Sequence, residues 1–206
     1  MRIVIFGASG GTGRLLVEQA LHRGHKVTAV ARSLDRLEPH DRLTLQPADV
    51  RDEHALHAIA ADHDAAISVI SRPVRAHGDL HSRGTHAIVN ALQAQGVPRF
   101  ICVSSGGVHP KDPGLPLWYR LAIPLFFKDL YRDMYAMEQI VRASTLDWTL
   151  VRASYLVDTP ARGHYRIEDG HNPRGGSRLA RADLAAFLLD ELDNNRWLKA
   201  TPTLAY

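Results

Sequence analysis

The chain has 206 residues, 45% of them hydrophobic and 23% charged, and a net charge of +3 with histidine neutral. These proportions are globular, so disorder and collagen-like repeats are excluded, and a field this weak makes no case for nucleic acid. One cysteine rules out an intramolecular disulfide and a cysteine-based zinc site.

The opening run, MRIVIFGASGG, lacks the charged, apolar and cleavage regions of a signal peptide. The longest apolar stretch, LWYRLAIPLFF (117–127), is interrupted by Arg120 and Pro124 and is too short to span a bilayer. The expectation is a soluble cytoplasmic protein with no membrane partner.

In chain order, RIVIF (2–6) reads as a buried strand and 12–24 as a helix stopped by Gly24. KVTAVA (26–31) is a second strand, 33–38 a short helix and LTLQP (43–47) a third strand. A helix over 53–61, a strand over 65–71 and a helix over 82–95 follow. RFICVS (99–104) is a fifth strand, 127–144 a long helix, WTLVR (148–152) a sixth strand and 181–193 the last helix. Alternation at this spacing means βαβ units, a parallel sheet and helices on both faces. The expected fold is α/β: one Rossmann domain over 1–206 with a doubly wound, mostly parallel sheet in the order 3-2-1-4-5-6. Two irregular segments, 106–124 and 153–178, follow the carboxyl ends of late strands, where open α/β sheets bind ligands. The first holds Pro110, Pro113, Pro116 and Pro124 with Trp118 and Tyr119. Both are read as walls of a substrate pocket.

The first strand runs into Gly7-Ala8-Ser9-Gly10-Gly11-Thr12-Gly13 and then a helix. Gly7 allows the tight turn, Gly10 lets backbone approach a pyrophosphate, and Gly13 lets the helix pack on the sheet. The helix N-terminus presents N–H groups to the anion. With a strand before and a βαβ unit around it, this turn predicts dinucleotide binding, with Ser9, Gly11 and Thr12 among its contacts. At the end of the second strand an NAD site wants an acidic residue; this chain has Arg32-Ser33, which suits a 2′-phosphate. NADP(H) is therefore the expected cofactor, and Asp35 is expected to point elsewhere. Asp49-Val50 after the third strand suits the adenine amino group and ring face; the competing reading makes Asp49 a helix N-cap.

Ser104 and Ser105 end the fifth strand, beside the expected nicotinamide, placed to hydrogen-bond cofactor or substrate. No tyrosine has lysine four residues on: those positions hold Ile123, Tyr135, Gln139, Thr159 and Asp169, and Tyr206 is terminal. The usual Tyr-x-x-x-Lys acid is therefore missing, which argues against reduction of a simple ketone. A conjugated acceptor spreads the incoming charge and can take its proton from water, so the protein need only bind and orient. Tyr131 and Tyr135 lie one helical turn apart, and packing is the preferred reading for both. His77 and His81 have an i,i+4 spacing but no evident third ligand, so no metal is expected. Cys102 reads as an inert core thiol. No G-x-S-x-G elbow supports a hydrolase.

GASGGTG, ARS, PADV, CVSSGG, the Asp133-x-x-x-Met137-Glu138 run, LDWTLVR, DTPARGHY and LARADLAAFLL together resemble the atypical short-chain dehydrogenases. The resemblance covers nearly the whole chain and points to the biliverdin-IXβ reductase/flavin reductase group. It implies a Rossmann domain, NADPH, and hydride transfer to flavins, quinones or tetrapyrroles. Ser105 matches that group's pocket serine and Arg72 its arginine after the fourth strand; Ser71 is assigned to the cofactor with Arg72. Ala153 departs from the proline usual after the sixth strand. The expected partner is a small conjugated acceptor, with the chain a monomer or weak homo-oligomer. The rival reading is an NmrA-type sensor, which keeps the fold and binds the cofactor without turnover.

Overall fold

The computed structural model describes all residues except 73–77, 110, 116, 118 and 121–126. The described elements alternate along most of the chain. The first half holds β1 (Arg2–Phe6), α1 (Gly11–His22), β2 (Lys26–Ala31), β3 (Leu43–Pro47), α2 (Glu53–Ala60), β4 (Ala65–Ser68) and α3 (Leu80–Ala94). The second half holds β5 (Arg99–Ser105), α4 (Lys128–Ala143), β6 (Asp147–Ala153), β7 (Tyr155–Val157), β8 (Arg166–Asp169), β9 (Arg178–Ala180), α5 (Arg181–Asn194) and β10 (Pro202–Ala205). The main sheet runs in the order β3-β2-β1-β4-β5-β6-β10-β8, so the expected 3-2-1-4-5-6 core is present and is extended at one edge. All its pairs are parallel except β10 with β8. Strands β7 and β9 form a separate parallel pair.

Period-2 alternation in β1 explains the two cores. Ile3 and Ile5 join Leu16, Val17, Leu184 and Leu188 beneath α1 and α5. Val4 and Phe6 join Ile88, Leu92, Phe100 and Met137 beneath α2, α3 and α4. Both faces are buried along β1, β4 and most of β5, which is why these parallel strands read as nearly continuous apolar runs.

Two expectations are corrected. Residues 33–38 form a turn, not a helix: Leu37 N–H donates to Leu34 O, while Ser33 Oγ donates to Asp35 Oδ2 at 2.8 Å. Short polar side chains bonding locally compete with helix, and Pro39 closes the segment. The segment 153–178 is not wholly irregular, since β7 and β8 lie inside it and β9 begins at its end. Ala153, where proline was expected, stays in β6 and pairs with Ser105. Among the described residues no helix is long and apolar enough to cross a membrane.

Candidate active site

A cavity of about 600 Å³ opens along the carboxyl ends of the strands. Gly10, Gly11 and Thr12 form one end of it, Ser71 and Arg72 flank it after β4, and Ser104 and Ser105 at the end of β5 are followed there by Gly106 and Gly107. Tyr119, Tyr131, Met134 and the segment Ala153–Leu156 complete an apolar wall.

The glycine turn is built as its spacing demands. Gly7 has φ +84°, and a Cβ there would sit 2.8 Å from the Val69 backbone. A Cβ on Gly13 would lie 2.2 Å from Gly7 O, so α1 can approach β1 only without one. At Gly10 the nearest atom to an added Cβ is 3.4 Å away, so the protein itself leaves that face open. Gly10 caps α1, and the first-turn N–H groups of that helix, which no preceding turn can satisfy, start at the cavity. Ser9 is half-buried beside them. Arg181 lies over the turn, 3.0 Å from where a Cβ of Gly11 would be, and is held by Asp158 at 2.8 Å.

Arg32 is exposed one residue beyond β2. Its neighbour Ser33 donates to Asp35, so Asp35 does not point elsewhere as expected; an anion at this corner must take the Ser33 O–H from it. Asp49 is not the helix N-cap. Asp52 caps α2, accepting from Ala55 N–H at 3.1 Å. Asp49 instead accepts from the Arg51 guanidinium at 2.7 and 3.0 Å and from the Arg51 amide at 3.0 Å. The Arg51 hydrogen bonds pull its carboxyl down to about 2, with Arg32 adding to the effect. Val50 is buried and packs on Gly84, where an added Cβ would meet it at 2.8 Å.

Arg72 carries its charge in an unusual place. Its side chain is 4% exposed, Nε is 3.8 Å from Asp133 Oδ2, and none of its three guanidinium nitrogens has a hydrogen-bond partner among the described residues. A buried guanidinium left this way is costly unless an anion comes to it.

The two serines diverge. Ser104 Oγ donates to Glu138 at 2.7 Å, and Glu138, fully buried, also takes Arg152 Nε at 2.9 Å and Nη2 at 2.6 Å. Burial works against the Glu138 carboxylate, but the hydrogen bonds and charge of Arg152, with Ser104, outweigh it and hold its pKa below the ordinary value. Ser104 thus ties β5 to α4 and β6. Ser105 Oγ accepts from the Gly107 amide at 3.2 Å, which leaves its own proton to be donated.

Tyr131 is in the cavity wall rather than simply packed: its hydroxyl meets that of Tyr119 at 2.9 Å. Burial and the Tyr131 hydroxyl push the Tyr119 phenol up. Tyr135 is 46% exposed, edge-on to His109. His77 lies outside the described residues. His81 bonds Asp133, and no cluster of three metal-ligating side chains occurs among the described residues.

Spacing did not reveal several wall residues. Asn172 joins the segments after β5 and after β8: its Nδ2 donates to Gly106 O and to Asp112 Oδ2, both at 2.8 Å, and its backbone amide donates to Asp112 Oδ2 at 2.8 Å. Asp112 also accepts from Gly114 N–H at 2.8 Å. Arg178 and Arg181 reach the cavity from the β9–α5 junction. Arg181 stands in the LARADLAAFLL run; nothing local marks the rest.

The family described as NAD(P)H-binding matches residues 7–195, and the chain belongs to it. This agrees with the resemblance read from the motifs. The chain is 28% identical to "Oxidoreductase stcQ" of Emericella nidulans over 215 residues, 92% of this chain and 76% of that protein. It is 29% identical to an uncharacterized chloroplastic protein of Arabidopsis thaliana, covering 81% of this chain and 63% of the relative. Among solved structures, a Veillonella parvula short-chain dehydrogenase/reductase in complex with NADP superposes with a TM-score of 0.84 at 18% identity, over 100% of this chain and 94% of that one. ChuY, an anaerobillin reductase from Escherichia coli O157:H7, gives 0.80 at 21% identity, over 100% and 97%. These likenesses show the Rossmann fold.

Proposed function

We propose that the protein is an NADPH-dependent reductase that passes a hydride to a flat conjugated acceptor: a flavin, a quinone or a tetrapyrrole. The observation that carries this reading is one cavity joining the glycine turn to an apolar, tyrosine-bearing wall, with the Arg72 guanidinium buried beside it and without a hydrogen-bond partner among the described residues. The similarity to an oxidoreductase, stcQ, and to an anaerobillin reductase, ChuY, agrees with reductase chemistry.

The residues present fit a dinucleotide. Gly7 to Gly13, with Ser9 and Thr12, would take the pyrophosphate at the start of α1. Arg32 and Ser33 would take the 2′-phosphate, and Asp49, kept ionised by Arg51, the adenine amino group above Val50. Ser71 and Arg72 would meet the cofactor from β4; the orphaned guanidinium supplies the positive charge that such an anion needs. When bound, the cofactor supplies the hydride. The chain supplies orientation: Ser105 has a proton to donate at the strand end, and the tyrosines offer faces and edges for a planar ring. The sequence has no tyrosine with lysine four residues on to meet an alkoxide, so on this reading simple ketones are poor substrates.

The test is consumption of NADPH by the purified protein with FMN, menadione or biliverdin. Steady turnover with a conjugated acceptor, and little with aliphatic ketones, is expected. Tight NADPH binding with no transfer to any of them overturns the reading in favour of the sensor.

A further inference from the structure

Two residues absent from every cofactor assignment meet at the inner wall of the cavity. His81, the second residue of α3, is 2% exposed and lines the cavity; Asp133, in the second turn of α4, is 7% exposed. Asp133 Oδ2 accepts from the His81 backbone amide at 3.0 Å and lies 2.9 Å from His81 Nδ1. Asp133 Oδ1 accepts from the Ser82 amide at 3.0 Å and the Ser82 hydroxyl at 2.6 Å. Burial opposes the charge on this carboxylate, but the hydrogen bonds from His81 and Ser82 win, and its pKa lies below the usual range.

An ionised carboxylate only accepts, so Nδ1 of His81 must carry a hydrogen. That fixes the neutral ring as the Nδ1–H tautomer. With Nδ1 committed, Nε2 is the ring atom left for a group in the cavity. The backbone bond to Asp133 holds the base of the same residue, so the ring is fixed at two points. Asp133 from α4 faces the imidazole, and Arg72 from the segment after β4 lies 3.8 Å from the same Oδ2; on the α3 side Arg83 and Asp79 pair at 3.9 Å in solvent.

We infer that His81, oriented by Asp133, is the proton donor to the reduced acceptor. The inference rests on the reductase reading above. An acceptor that has received a hydride has gained two electrons and one hydrogen, and a quinone is then one proton short at an oxygen. His81 gives that proton from Nε2 and becomes neutral, and solvent returns it. The role replaces the missing tyrosine with a donor on a different helix, and Asp133 is its positioning residue.

Two acceptors separate the outcomes. Menadione needs a proton after the hydride; the methylene blue cation becomes its neutral leuco form with the hydride alone. His81→Gln should lower turnover of menadione by about a hundredfold, the range of general-acid catalysis. It should also flatten the alkaline fall of kcat, while methylene blue reduction and NADPH affinity stay within about twofold. A second readout needs no turnover. Nitrogen-15 NMR of the protein without cofactor should show His81 as the Nδ1–H tautomer, and Asp133→Asn should let the Nε2–H tautomer appear beside it. An unchanged menadione rate and pH profile in His81→Gln overturns the inference, as does an equal loss with both acceptors or an Nε2–H tautomer in the wild type. A wild type that reduces neither acceptor overturns the reductase reading, and the inference with it.

Discussion

Replacing Glu138 by glutamine should destabilise the protein without touching its surface. The wild-type carboxylate is fully buried and accepts two hydrogen bonds from Arg152 and one from Ser104, and Arg152 is itself 3% exposed. Glutamine keeps one acceptor but sets an amide donor 2.6 Å from Arg152 Nη2, a donor facing a donor, and removes the countercharge. The guanidinium then keeps the Gly170 carbonyl at 3.0 Å and the one remaining side-chain oxygen, with no countercharge bonded to it. Breaking one half of a buried pair costs about 3–5 kcal/mol. For a chain of this size that is a fall in Tm of about 6–20 °C. Thermal and urea melts at neutral pH measure it. The folded pKa of Glu138 is depressed, so its contribution is present above the ordinary carboxylate value of about 4.3 and is lost as pH falls through the lower folded value. The gap between wild type and variant should therefore close in acid. A Glu138→Gln protein with wild-type Tm, or a gap that widens in acid, would refute the reasoning.

Arg32→Ala should weaken NADPH binding by about 1.5–3 kcal/mol and leave NADH nearly unchanged; calorimetry with both cofactors checks it, and equal weakening would sink the 2′-phosphate assignment. Ser105→Ala should slow turnover about two- to twelvefold through lost positioning, the value of one neutral hydrogen bond, and a thousandfold loss would contradict that role. Tyr131→Phe should cost no more than this, because the ring stays in the wall and only its hydroxyl contact with Tyr119 goes, as steady-state rates would show. Cys102 should resist thiol reagents in the native state and react on unfolding, since burial pushes its thiol up to about 12; rapid labelling of folded protein would disprove the buried assignment.

The parts legible in the sequence are those set by short-range geometry. The β1–α1–β2 unit follows from three glycines and two β-branched runs, and contacts such as Gly13 against Gly7 O are local. The missed strands β7 to β10 are three or four residues long. Arg166–Asp169 is mostly exposed, because an antiparallel edge strand buries little and so shows little pattern. Tyr131 and Tyr135 share an i,i+4 spacing, yet one lines the cavity and the other is 46% exposed, because one helical turn carries α4 from the cavity to solvent. Asp133 stood inside a recognisable run, but its partner His81 lies 52 positions away, beyond the reach of any periodicity.

Asn172 has a consequence for how this pocket can change. Through Gly106 and Asp112 it makes the segment after β5 and the segment after β8 a single body. An added Cβ at Gly106 would lie 2.2 Å from Asn172 Oδ1, and one at Gly114 1.8 Å from Asn172 O. A substitution in either segment is therefore felt by the other, and their effects on the shape of the pocket are not additive. Variants selected for a larger acceptor would have to change both segments together or release the asparagine first. Diversity confined to one of them would sample little beyond the shape the pocket already has.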